Sequence, residues 1–91
     1  MFNICDGKGF QITLANGWAV SVQFGAGNYC ENRSYGYNIP EFGSSPDAEI
    51  AAWDANNNWH DFGSDQVKGW CSADEVVAFL AEVAAFPPSI K

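Results

Sequence analysis

The sequence predicts an α+β fold. An antiparallel β-sheet is built from two hairpins, at about residues 10–24 and 49–62, and one C-terminal α-helix, at about 73–86, packs on one face. Three stretches predict it. GFQITLANGWAVSVQFG alternates large apolar with small or polar residues on both sides of an Asn-Gly pair. AEIAAWDANNNWHDFG reads as two short strands around an asparagine-rich turn. SADEVVAFLAEVAAF changes to a helical period between a serine and a proline.

In the first stretch Phe10, Ile12 and Leu14 form one apolar series, and Trp18, Val20, Val22 and Phe24 form the other. A two-residue turn at Asn16-Gly17 would pair Ala15 with Trp18 and point the two series to opposite faces. A three-residue loop, Ala15-Asn16-Gly17, pairs Leu14 with Trp18, Ile12 with Val20 and Phe10 with Val22, so every large side chain shares one face. Gly17 then takes the left-handed position and forms a bulge.

From Gly25 to Pro46 no period is sustained, and Gly25, Gly27, Gly36, Gly43, Pro40 and Pro46 punctuate the chain. Within it GNYCENRSYGYN, residues 27–38, holds three tyrosines and the chain's one arginine. It reads as an ordered surface loop whose glycines set the path and whose tyrosines supply contact area. A loop that only packs its own tyrosines down is the alternative.

The second hairpin places strands at 49–54 and 58–62 around Ala55–Asn58, and Trp53 and Trp59 fit either a three- or a four-residue loop. In the helix, Ser72 is the cap, Glu75 completes a capping box and Pro87 ends the element. Val76, Val77, Phe79, Leu80 and Val83 make the expected buried stripe. Ala78, Ala81 and Ala85 lie beside Glu82 on a small, bare face.

Ninety-one residues, 47% hydrophobic and 15% aromatic, imply one domain with a modest core. The start, MFNICDGKGF, lacks a basic region followed by an apolar run, so no signal peptide is expected. No apolar stretch approaches the roughly 20 residues that span a bilayer. Cys5, Cys30 and Cys71 are scattered without a close pair, which fits a reducing, cytoplasmic setting. They read as three buried small side chains with His60 at the surface, not as a zinc site. The stretch from Asp54 to Asp65 mimics a calcium loop at Asp54, Asn56, Asn58 and Asp65, but Trp59 stands where the sharp turn requires glycine. No metal or cofactor is expected.

Catalytic equipment is thin. His60 and Asp61 are neighbours in an expected strand and point apart. No nucleophile elbow, metalloprotease motif or phosphate loop is present. The chain does not read as an enzyme.

The net charge is −7, and its distribution is uneven. Residues 1–46 carry three acids against Lys8 and Arg33, a balance of −1; residues 47–91 carry eight acids against Lys68 and Lys91, a balance of −6. Such a field repels nucleic acid and anionic membrane and attracts basic protein surfaces. The expected partner-binding residues are Tyr29, Tyr35, Tyr37, Asp47, Glu49, Asp54, Asp61 and Asp65. Asp74 and Glu75 have a helix N-terminus to stabilise; Asp54, Asp61 and Asp65 have no such structural role in the sequence reading.

With ITLANGWAVSVQFGAGNYCENR at its front, the chain is similar in style to small acidic proteins encoded by phages and mobile elements, among them anti-CRISPR and other anti-defence inhibitors. The resemblance implies a phage-encoded stoichiometric binder, acting in the host bacterial cytoplasm, that occupies the nucleic-acid groove or another essential surface of a bacterial defence complex. Two alternatives stay open. One is a module that binds a small ring-shaped ligand such as a sugar through exposed aromatics. The other is a phage structural or assembly protein, dimeric through the alanine face of its helix.

Overall fold

The structure is a computed structural model that describes residues 1–5, 8–34 and 43–91. Five strands form one antiparallel sheet in sequential order: β1 (Phe2–Ile4), β2 (Gly9–Thr13), β3 (Ala19–Gln23), β4 (Ala48–Trp53) and β5 (Lys68–Cys71). Helix α1 (Ala73–Ala84) crosses β3, β4 and β5 on one face.

The first hairpin has the register expected of a three-residue loop. Phe10 pairs with Val22 and Ile12 with Val20, the Leu14 N–H donates to the Trp18 carbonyl, and Gly17 adopts φ +91°. The second turn repeats that geometry: the Asp54 N–H donates to the Asn58 carbonyl, the Asn57 N–H donates to the Asp54 carbonyl, and Asn57 has φ +64°. It too has three loop residues.

The return arm expected at 58–62 is not a strand. Its backbone pairing with β4 is limited to one bridge, Trp53 to Trp59, and one bond from the His60 N–H to the Ala52 carbonyl. The reason lies at the other end of β4, where β5 pairs with Ala48 and Ile50 and takes the edge the arm would have used. Neither β5 nor β1 was expected. KGWC offers a lysine and a glycine where a strand pattern needs alternation, and FNI is too short to show a period.

The apolar sides of β3 and β4 meet the helix. Val20, Val22, Ile50, Ala52, Cys71, Phe79 and Val83 are buried, and the alanines of β4 leave room for the helix backbone to approach. Ser72 and Glu75 make both bonds of the expected capping box. The expected stripe is narrower than its five members: Phe79 and Val83 are buried, Val76 and Leu80 partly so, and Val77 is 65% exposed. Cys5 is half-buried, not core, and His60 is half-buried against Phe62, Phe79 and Phe86 instead of lying at the surface. Burial raises the thiols of Cys30 and Cys71, which donate to nearby backbone carbonyls.

Asn16 joins the first turn to the helix. Its Nδ2 donates to the carbonyls of Val83 at 2.8 Å and Phe86 at 3.3 Å, while its Oδ1 accepts the Trp18 N–H. The hairpin turn thus ties itself to the end of the helix, sharing the Val83 carbonyl with the Phe86 N–H. Asn16→Ala removes three bonds from a partly buried place and is expected to cost about 1–3 kcal/mol, read as a lower thermal midpoint.

Candidate functional site

Two surface features flank β5. The first is built by the segment after β3. Asn28, buried, accepts the Gly25 N–H on Oδ1 and donates to Gln23 Oε1; Asn32, also buried, donates to the carbonyls of Phe24 and Ser44. Cys30 is buried between them. The segment ends in a short 3₁₀ turn, Glu31–Ser34. With Asn28, Cys30 and Asn32 turned inward, Tyr29 and Arg33 are left outside.

Tyr29 is the middle of a stack. The Arg33 guanidinium lies 4.4 Å from its ring centre, and the Trp70 ring lies 5.8 Å away at an interplanar angle of 25°. Both contacts are of favourable kinds. Two backbone features bring Trp70 there. Gly69 and Trp70 stand opposite the single residue Glu49 of β4, a bulge that re-aims the strand. Gly69 also has no side chain where Tyr29 presses against it; a Cβ there would overlap Tyr29. Trp70 has φ +52°, a conformation that a bulky residue rarely adopts, and the residue is 56% exposed. A strained backbone that displays an indole to solvent points to function.

The second feature is a cleft of about 420 Å³ between residues 60–62 and α1. Ile50, Phe62 and Phe79 supply its apolar wall, and Asp61, Glu75 and Glu82 bring three carboxylates to it. Lys68 is the lysine among its lining residues, and it is engaged with Glu75 at 3.4 Å. The Ser72 N–H and that lysine hold the Glu75 carboxyl below its usual range. Lys68 and Trp70, two positions apart on β5, belong to the cleft and the stack respectively.

The expected site residues divide accordingly. Tyr29 is in the stack and Asp61 at the cleft. Tyr35 and Tyr37 lie outside the described residues. Asp47 and Glu49 are half-buried anchors: Asp47 Oδ1 accepts the Glu31 N–H and Glu49 Oε2 the Tyr29 N–H, each at 2.7 Å. They hold the segment that presents the stack. Asp54, Asp61 and Asp65 do have local structural work. Asp54 accepts the N–H groups of Asn56 and Asn58, Asp61 that of Gly63, and Asp65 that of Gln66. Arg33 and Trp70 of the stack and Glu82 of the cleft were not among the expected residues. For Arg33 and Trp70 a signal existed, since arginine and tryptophan are the side chains most enriched at binding hot spots.

The Asn58 N–H, helped by that of Asn56, holds the Asp54 carboxyl below its usual range. The folded value is depressed, so the contribution is present above the unfolded value and is lost as pH falls through the folded one. The Asp54 contribution should therefore be level from neutrality to about pH 5 and then fade. The thermal-midpoint profile of Asp54→Asn should fall less steeply; an identical profile would show that this carboxylate contributes nothing.

No helix among the described residues is long and apolar enough to cross a membrane. No protein-family model, curated protein or solved structure matches the chain.

Proposed function

We propose that this chain is an acidic inhibitor that binds a protein partner stoichiometrically, meeting a basic surface with the cleft of Asp61, Glu75 and Glu82 and an apolar or planar group with the Arg33–Tyr29–Trp70 stack. The observation that carries the reading is the grouping of three carboxylates around one cleft, which Lys68 of β5, the strand that bears Trp70 of the stack, also lines. Charge steers the encounter and sets its rate; the aromatic pair sets its lifetime. The resemblance to phage anti-defence proteins supplies the partner class: a bacterial defence complex, such as a CRISPR effector, whose nucleic-acid groove is basic. Occupying that groove needs no catalysis.

The test is inhibition at equal concentration. Guide-loaded effectors of several types are mixed with the chain, and target-DNA binding is measured. At least one should lose DNA binding near a one-to-one ratio, with weaker inhibition in high salt. Unchanged DNA binding by every effector would overturn this choice of partner.

A second reading, a module for an uncharged ring-shaped ligand, draws on the stacked Trp53 and Trp59, whose rings lie 4.9 Å apart with Trp59 exposed. Ionic strength separates the two, because ring stacking hardly responds to salt.

A further inference from the structure

The edge of the sheet remote from the acidic cleft has features of its own. Helix α1 lies over β3, β4 and β5, so the apolar face of the sheet continues past it across β2 to β1. There Phe2 is 81% and Ile4 87% exposed, opposite Ile12 and Phe10. The Thr13 N–H donates to the Met1 carbonyl and the Cys5 N–H to the Gly9 carbonyl. In an antiparallel ladder the inward-bonding residues alternate, so residues 1, 3 and 5 bond to β2 while the N–H and C=O groups of Phe2 and Ile4 point outward. Among the described residues nothing pairs with that edge.

We propose that β1 pairs antiparallel with β1 of a second copy about a two-fold axis at Asn3, joining two five-stranded sheets edge to edge. Self-pairing is the arrangement this edge fits. With Asn3 opposite its own copy, Phe2 of each chain stands opposite Ile4 of the other, and their outward N–H and C=O groups close four bonds. The same register sets the four apolar side chains on one face, beside Phe10 and Ile12. Phe2 is 81% and Ile4 87% exposed in the single chain, and pairing the two edges covers part of this apolar surface on both copies.

Charge favours the same edge. Neither residues 1–5 nor β2 contains a charged side chain, and the strand order puts Asp61, Glu75 and Glu82 at the opposite side of the sheet. Two chains of charge −7 therefore meet where their repulsion is least. Both clefts and both stacks remain free.

Sedimentation equilibrium of the chain alone tests this, independently of any binding partner. The parent should approach twice 9.9 kDa as its concentration rises through about 1–100 µM. Ile4→Pro removes one outward N–H and leaves the β1–β2 bonds in place; Ile4→Lys buries a charge in the interface instead. Each should be monomeric with an unchanged circular dichroism spectrum. A monomeric parent at the highest concentration overturns the proposal, as does a dimer that both variants keep, which would place the contact elsewhere, for example on the alanine face of α1. Should either variant unfold, amide exchange in the parent decides. The Phe2 and Ile4 amides should exchange slowly when concentrated and quickly when dilute; fast exchange at both concentrations overturns the pairing.

Discussion

Gly17→Ala is expected to destabilise the fold by about 2–4 kcal/mol and to lower the thermal midpoint by roughly ten degrees or more. Two effects combine. Gly17 sits at φ +91°, where any side chain is strained, at a cost of about 1 kcal/mol. The sequence alone reaches that far. The rest comes from the C-terminal segment, because a methyl group on Gly17 would overlap the Ser89 carbonyl oxygen. Ser89 cannot simply retreat. Its N–H donates to the Asn16 carbonyl at 2.7 Å, and its Oγ accepts the Ala55 N–H at 3.0 Å. It therefore links the two hairpin turns, and displacing it disturbs both. Urea unfolding measures the sum; a loss of only about 1 kcal/mol would mean that the Ser89 segment moves aside freely.

Tyr29→Ala and Trp70→Ala are expected to speed dissociation from the partner by about 30-fold or more each, the scale of a hot-spot residue. Both rings are exposed in the free chain, and Tyr29 stacks on Trp70, so the double variant should lose less than the two single losses combined. Stability should respond differently. At a backbone φ of +52°, Trp70→Gly relieves strain while giving up part of the ring packing, so its thermal midpoint should shift by only a few degrees. Weak binding with an intact fold separates a contact role from a structural one. A Trp70→Gly chain that binds as tightly as the parent would remove Trp70 from the surface.

What the sequence revealed follows from how local each signal is. The first hairpin was legible because all seven large apolar residues from Phe10 to Phe24 demand one face, which only one register supplies. The helix was legible from its capping box, although the width of its buried stripe was not: Val77 has the right spacing but is exposed. β5 was hidden by its bulge, since Gly69 and Trp70 together oppose one residue and break the alternation that marks a strand. The acids were read as a charge total, which cannot distinguish Glu49, turned in to bind the Tyr29 N–H, from Glu82, which lines the cleft. That distinction is a matter of which backbone N–H groups lie within reach, and it exists only in the fold.

The central claim is that the cleft and the stack, which flank β5, engage the same basic partner. Its most direct test is comparative capture from a lysate of bacteria with an active CRISPR system, quantified by mass spectrometry. Three immobilised chains are compared: the parent, Asp61→Asn/Glu82→Lys, and Tyr29→Ala/Trp70→Ala. Asparagine at 61 keeps an acceptor for the Gly63 N–H, and among the described residues the Glu82 side chain makes no hydrogen bond, so the charge variant leaves the turns intact. A nucleic-acid-binding defence protein should be retained by the parent, eluted by salt and depleted on both variants. Equal retention of that protein on all three chains would contradict the claim, and the acidity would then serve solubility alone.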